Sequence, residues 1–188
     1  MDTYNFKWTQ LQMRIFKLLC MKAGQTLNLR GIARYLRVSP TAVSNAMKDL
    51  EKEKIIKVEK SEIIKLLSIE FNRDNHAAVQ IKRVENLRMI YESGLANILY
   101  NEFPGCAIIL FGSYSLGEDV WFGEKDERSS DIDIAIIGTK GKEIDLAKYN
   151  KLLERSISIN FYKSWSDIHR NLKTNILRGI TLSGGIDL

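Results

Sequence analysis

The chain has 188 residues, 45% of them apolar and 27% charged, as expected of an ordinary globular protein with one large domain or two small ones. No apolar run reaches about eighteen residues and the start lacks a basic-then-apolar signal region, so no membrane association is expected and a cytoplasmic location is. The net charge of +5 is unevenly divided: residues 1–73 carry 14 Lys/Arg against 7 Asp/Glu, and residues 74–188 carry 14 against 16. This asymmetry predicts a basic N-terminal module and a slightly acidic second module with different partners.

Thr9-Gln10-Leu11-Gln12 has the spacing of a helix capping box, and Leu11, Ile15, Leu18 and Leu19 follow at helical intervals until Gly24. A second short helix after Asn28 carries Ile32, Ala33 and Leu36. Ser39-Pro40 opens a third, with Ser39 as the N-cap and a buried stripe of Val43, Met47 and Leu50. Residues 55–59 and 63–71 are β-branched runs around Lys60-Ser61-Glu62 and predict a hairpin.

Three helices followed by a hairpin resemble the winged helix-turn-helix family over about residues 7–72. The resemblance implies DNA binding through residues 28–62, with the helix from Ser39 in a major groove and Lys60 at the wing tip. Thr41, Ser44, Asn45 and Lys48 face away from the apolar stripe and suit base edges. Arg30, Arg34, Arg37, Lys57 and Lys60 suit phosphates. A homodimer is compatible with this family, although no heptad pattern enforces one.

Residues 74–100 are expected to form one long helix, its first turns (74–85) connecting the modules and its apolar side marked by Val79, Val84, Leu87, Tyr91, Leu95 and Ile98. Cys20 and Cys106 lie in apolar surroundings without a C-x-x-C partner and are expected to be buried thiols. His76 and His169 are too isolated to suggest a transition-metal site.

The chemistry concentrates in residues 108–137. An apolar run, residues 107–111, leads into Gly112-Ser113, and a polar loop leads out to Ser130-Asp131-Ile132-Asp133-Ile134. Residues two apart on a strand share a face, so Asp131 and Asp133 point together while the isoleucines enter a core. Glycine permits close backbone approach to a phosphate and serine adds a hydroxyl. Two carboxylates suit magnesium, which takes a few hard oxygens and keeps the rest of its shell for water and phosphate.

This pattern, over about residues 80–188, resembles the nucleotidyltransferase superfamily of DNA polymerase β, especially its minimal archaeal and bacterial members. The expected fold class is therefore α+β, with a winged helix-turn-helix in residues 1–73 and a nucleotidyltransferase-fold domain, a mixed sheet flanked by helices, in residues 74–188. The resemblance implies ATP or another NTP held with two Mg2+ ions. It places Gly112 and Ser113 on the phosphates, makes Asp131 and Asp133 the metal ligands, and has a nucleoside monophosphate transferred to a hydroxyl. It also admits a protein acceptor, such as a small toxin partner to which the chain would act as an antitoxin.

Two departures qualify the resemblance. The stretch 114–130 is longer than in minimal members and reads as a lid, an acceptor-recognition loop or a plain insertion. The third carboxylate of the superfamily is matched by Asn160, or by Ser158 if the register slips. Asparagine offers a carbonyl oxygen but accepts no proton. That leaves two further readings: a regulator that senses nucleotide without chemistry, or substitution by Asp145, Glu154 or Asp167.

Overall fold

Thr9 begins the first helix as its spacing predicts: its hydroxyl accepts from the Gln12 amide at 3.3 Å, and the Gln12 side chain accepts from the Thr9 amide at 2.7 Å. The structure is a computed structural model that describes residues 8–60, 67–123, 126, 127 and 129–185. It divides into two compact units, Met1–Ala78 and Val79–Leu188. The division falls within the first turn of a helix, a few residues beyond the composition shift.

The first unit contains α1 (Gln10–Met21), β1 (Leu27–Asn28), α2 (Leu29–Leu36), α3 (Pro40–Lys52), β2 (Ile56–Lys60) and β3 (Leu67–Phe71). Asn28 caps α2 by accepting from the Gly31 amide at 2.8 Å, and Ser39 caps α3 by accepting from the Ala42 amide at 3.1 Å. Ile15, Leu19, Ile32, Val43 and Leu50 are almost wholly buried between the three helices and the sheet. Buried Gln12 donates to the Asp49 carboxylate at 2.8 Å and so ties α1 to α3.

β2 and β3 form the expected antiparallel hairpin, with Lys60 opposite Leu67, and the short β1 adds to the free edge of β3. The predicted Lys60-Ser61-Glu62 turn, and the start of the second strand at residue 63, lie in residues 61–66, outside the described residues apart from Lys60 itself. Three helices with this small sheet are the winged-helix arrangement.

In the second unit the single long helix is corrected. The chain breaks at Ser93-Gly94, where Gly94 is left-handed, giving α4 (His76–Glu92) and α5 (Leu95–Glu102). The apolar face is corrected too: Val84 and Tyr91 are exposed, whereas Ala78, Lys82, Glu85, Asn86, Met89 and Ile90 are buried. The buried side of α4 mixes polar and apolar groups, so apolar periodicity misplaced Val84 and Tyr91, while Leu95 is buried as expected and Val79, Leu87 and Ile98 are half-buried.

β4 (Ala107–Phe111), α6 (Gly112–Leu116), β5 (Ile132–Ile137), α7 (Ala147–Leu153), β6 (Ile157–Tyr162), a 3-10 turn (Trp165–Asp167), α8 (Arg170–Leu177) and β7 (Ile180–Ser183) complete it. The sheet order is β6-β5-β4-β7, with β5 and β6 parallel and the other pairs antiparallel. The chain is thus α+β, and β4 is buried along its whole length as its apolar run requires. His169 is the N-cap of α8, and Ser164 caps the preceding 3-10 turn. Among the described residues no helix is long and apolar enough to cross a membrane.

Candidate functional site

Two surfaces carry the expected functional residues, one in each unit. On the first, Val43, Met47 and Leu50 anchor α3 in the core, and its opposite side is polar. Thr41, Asn45 and Lys48 are exposed and Ser44 is half-buried, all on one helix whose N-terminal cap is fixed by Ser39. Arg37 is exposed and ends α2 in the left-handed conformation, while Lys60 is exposed at the end of β2. Lys57 differs from the phosphate-contact expectation. Its ammonium pairs with Asp74 at 2.5 Å, and that hydrogen bond raises the lysine pKa and lowers the aspartate's.

The second surface is built where β4 passes into α6 beside the start of β5. Gly112 has φ +74°, a conformation that glycine adopts without steric cost. A Cβ at this position would lie 2.5 Å from Oδ2 of Asp133, so the turn backbone packs directly against that carboxylate. Ser113 is the next residue, half-buried, and buried Ser115 donates its hydroxyl to the Gly112 carbonyl at 2.8 Å.

Asp131 immediately precedes β5 and is exposed; Asp133 is the second residue of the strand and half-buried. Strand alternation gives them one face. Asp133 pairs with Phe111 on one side and Ser158 on the other, whereas Asn160 pairs with Ala135, one step deeper along the same face. Ser158, not Asn160, is therefore the cross-strand neighbour of the site. Past the carboxylates this face becomes an apolar cluster of Ala107, Ile109, Phe111, Ala135, Ile137, Ile168 and Ile176. The cluster holds the strands rigidly behind the carboxylates.

Burial, and then the nearby charge of Asp131, raise the pKa of Asp133 above the ordinary carboxylate value. A cation would relieve both effects. Among the described residues no group of three His, Cys, Asp or Glu side chains could hold a metal. Two carboxylates are hard oxygen donors, unlike the ligands of a structural zinc site, and suit a magnesium ion that completes its shell with water and phosphate.

Two of the three carboxylate substitutes, Asp145 and Asp167, serve as local caps. Asp145 accepts from the Ala147 amide at 2.9 Å, and Asp167 accepts from the Ser164 amide at 3.1 Å. Glu154 lines a cleft of about 860 Å3 together with Asp131, Trp121, Lys151 and Arg155. Cys20 and Cys106 are both buried thiols, as expected. His169 makes a local contact, accepting from the Asn171 amide at 3.4 Å.

Sequence reasoning missed the polar cluster that anchors the 114–130 stretch. Asp119, Lys82, Asn86 and Arg155 are all buried. One Asp119 oxygen pairs with Lys82 and accepts from Asn86 at 2.7 Å; the other accepts from Arg155 at 3.1 Å. Gly117 packs against the α4 backbone, where a Cβ would meet the Val79 carbonyl oxygen at 2.5 Å. This stretch is therefore fixed at its base. The only sequence signal was an acidic residue within an acidic loop, which solvent exposure explains equally well.

Neither a family model nor a curated protein matches the chain. Among solved structures it is similar to a zinc-responsive MarR family member, ZitR of Lactococcus lactis, at 20% identity over 55% of this chain and 68% of that one, with a TM-score of 0.41. It is also similar to the adhesin competence repressor AdcR of Streptococcus pyogenes, at 23% identity over 54% and 71%, with a TM-score of 0.42. A third is a MepR mutant from a multidrug-resistant S. aureus isolate, at 19% identity over 51% and 66%, with a TM-score of 0.39. These findings correct the family resemblance of residues 80–188. The solved structures named are winged-helix regulators, not a winged helix fused to a nucleotidyltransferase, and no family model supports that fusion.

Proposed function

We propose that the chain is a DNA-binding regulator whose second unit binds a magnesium–nucleoside triphosphate, ATP or a related NTP, and passes occupancy on to DNA affinity. The observation that carries this reading is the Gly112 backbone packed against the Asp133 carboxylate, next to Asp131 on the same strand face. Asp131 and Asp133 hold the metal, and Gly112 and Ser113 meet the phosphates. The magnesium neutralises triphosphate charge beside two carboxylates that would otherwise repel it. Binding without transfer is favoured because the strand neighbour of Asp133 is Ser158, whose side chain is a hydroxyl and not a carboxylate.

In the first unit, Thr41, Ser44, Asn45 and Lys48 read bases, while Arg37 and Lys60 neutralise phosphates. Counterion release then gives a salt slope of about −0.9 per neutralised phosphate. A homodimer would present two such helices to a pseudo-palindromic site.

The test is fluorescence anisotropy of labelled DNA from a random-sequence selection, titrated at several salt concentrations with and without ATP and magnesium. The expected result is salt-dependent binding whose affinity changes when ATP and magnesium are added. Asn45→Ala should relax base preference at one position by about 1–3 kcal/mol. Binding unaffected by nucleotide would overturn the sensing link. Transfer of an α-labelled phosphate to protein or RNA would overturn the binding-only reading.

A further inference from the structure

We propose that Asp119 and Arg155 are positioning residues whose buried ion pair closes a hydrogen-bonded ring around the strand entry and holds Asp131 in place; the role of Asp131 itself rests on the metal reading above. The ring can be traced bond by bond. From Asp119 the chain passes to Val120, whose amide donates to the Ser130 hydroxyl at 3.1 Å and whose carbonyl accepts from the Ser130 amide at 2.8 Å. Ser130 is followed by Asp131 and Ile132, and the Ile132 amide donates to the Ser156 carbonyl at 2.8 Å. Ser156 follows Arg155, and the Arg155 guanidinium returns to the Asp119 carboxylate at 3.1 Å.

Asp131 is thus exposed at the surface, yet both of its chain neighbours are hydrogen-bonded to residues adjoining one buried ion pair. The pair is itself anchored. The second Asp119 oxygen takes Lys82 and Asn86 from α4, and Asn86 also donates to the Tyr114 carbonyl at 2.8 Å. The side chains of Asp119, Lys82 and Arg155 are at most 1% exposed. A site carboxylate held through packed, hydrogen-bonded supports is more accurately placed than one on a loose loop. The long 114–130 stretch accordingly has a definite role: its base forms one arc of the ring.

Arg155→Met opens the ring while leaving the neutral Lys82–Asp119 pair buried, so it is the preferred variant. Amide hydrogen exchange and calorimetric titration with ATP and magnesium are measured on the full chain, well below its thermal midpoint. The expected result is exchange at Ser130 and Ile132 about tenfold faster, with Ile134 and Ile136 unchanged. The dissociation constant for ATP with magnesium should rise about tenfold or more. Arg155→Lys should recover part of both effects, which a general loss of stability would not do. Should Arg155→Met fail to fold, Ser130→Ala removes one link without disturbing buried charge, and should shift the same two readouts by about threefold. Unchanged exchange at Ser130 and Ile132, or faster exchange with unaltered affinity, would overturn the proposal. If the wild-type chain bound no nucleotide while Arg155→Met still accelerated those two amides, the ring would stand as a support of the Asp131 segment and the nucleotide reading alone would fail.

Discussion

The two units bury their helices with different chemistry. In the first, α1, α2 and α3 turn inward Ile15, Leu19, Ile32, Val43 and Leu50, and polar groups serve mainly at caps. In the second, α4 turns inward Lys82, Glu85 and Asn86, and its exposed side carries Val84 and Tyr91. Apolar packing tolerates loss of a group at moderate cost. A buried set of two cations and one carboxylate leaves uncompensated charge when its centre is removed. The second unit is therefore expected to be the more sensitive to single polar substitutions.

The largest effect expected from that contrast is Asp119→Asn, which leaves Lys82 and Arg155 buried without their anion. It should destabilise the second unit by about 3–5 kcal/mol in denaturant unfolding. A loss comparable to a surface substitution would erase the distinction between the units. Gly112→Ala comes next. Its Cβ would crowd Asp133 and the backbone would keep a positive φ, so a loss of about 1–3 kcal/mol is expected, with weaker binding of ATP and magnesium.

In the first unit, Ser39→Ala should cost about 1 kcal/mol by removing the α3 cap, read from the same unfolding curves. The smallest effect concerns pH. Because burial and Asp131 raise the pKa of Asp133, the folded state holds that proton more tightly than the unfolded chain does. Its contribution to stability is fully present below the ordinary carboxylate pKa, and is lost as pH rises through the raised value. Metal-free Asp133→Asn should therefore be slightly more stable than wild type at neutral pH, and the difference should vanish in acid.

The same contrast explains what the sequence made legible. Thr9, Asn28 and Ser39 could be read as caps because cap chemistry is local, and the hairpin followed from its β-branched runs. Gly112 with Asp131 and Asp133 was legible because strand alternation places carboxylates two apart on one face. Asp119 was not. Its partners lie 33 to 37 residues away, and nothing local marks a buried carboxylate. Val84 and Tyr91 misled because periodicity assumes that the buried side is the apolar one. The Ser158 pairing required the observed register, since a strand segment alone does not fix which residue faces Asp133. The family resemblance failed for a related reason: a short motif can describe local chemistry without establishing membership of a family.

The proposed function requires Asp131 and Asp133 to hold a magnesium–nucleotide. Isothermal titration of the full chain with ATP, in magnesium and in EDTA, tests it most directly, alongside a variant carrying both Asp131→Asn and Asp133→Asn. Saturable binding that requires magnesium and weakens at least about tenfold in the folded double variant is the predicted result. Absence of binding by the wild type, or equal binding by the double variant, would contradict it.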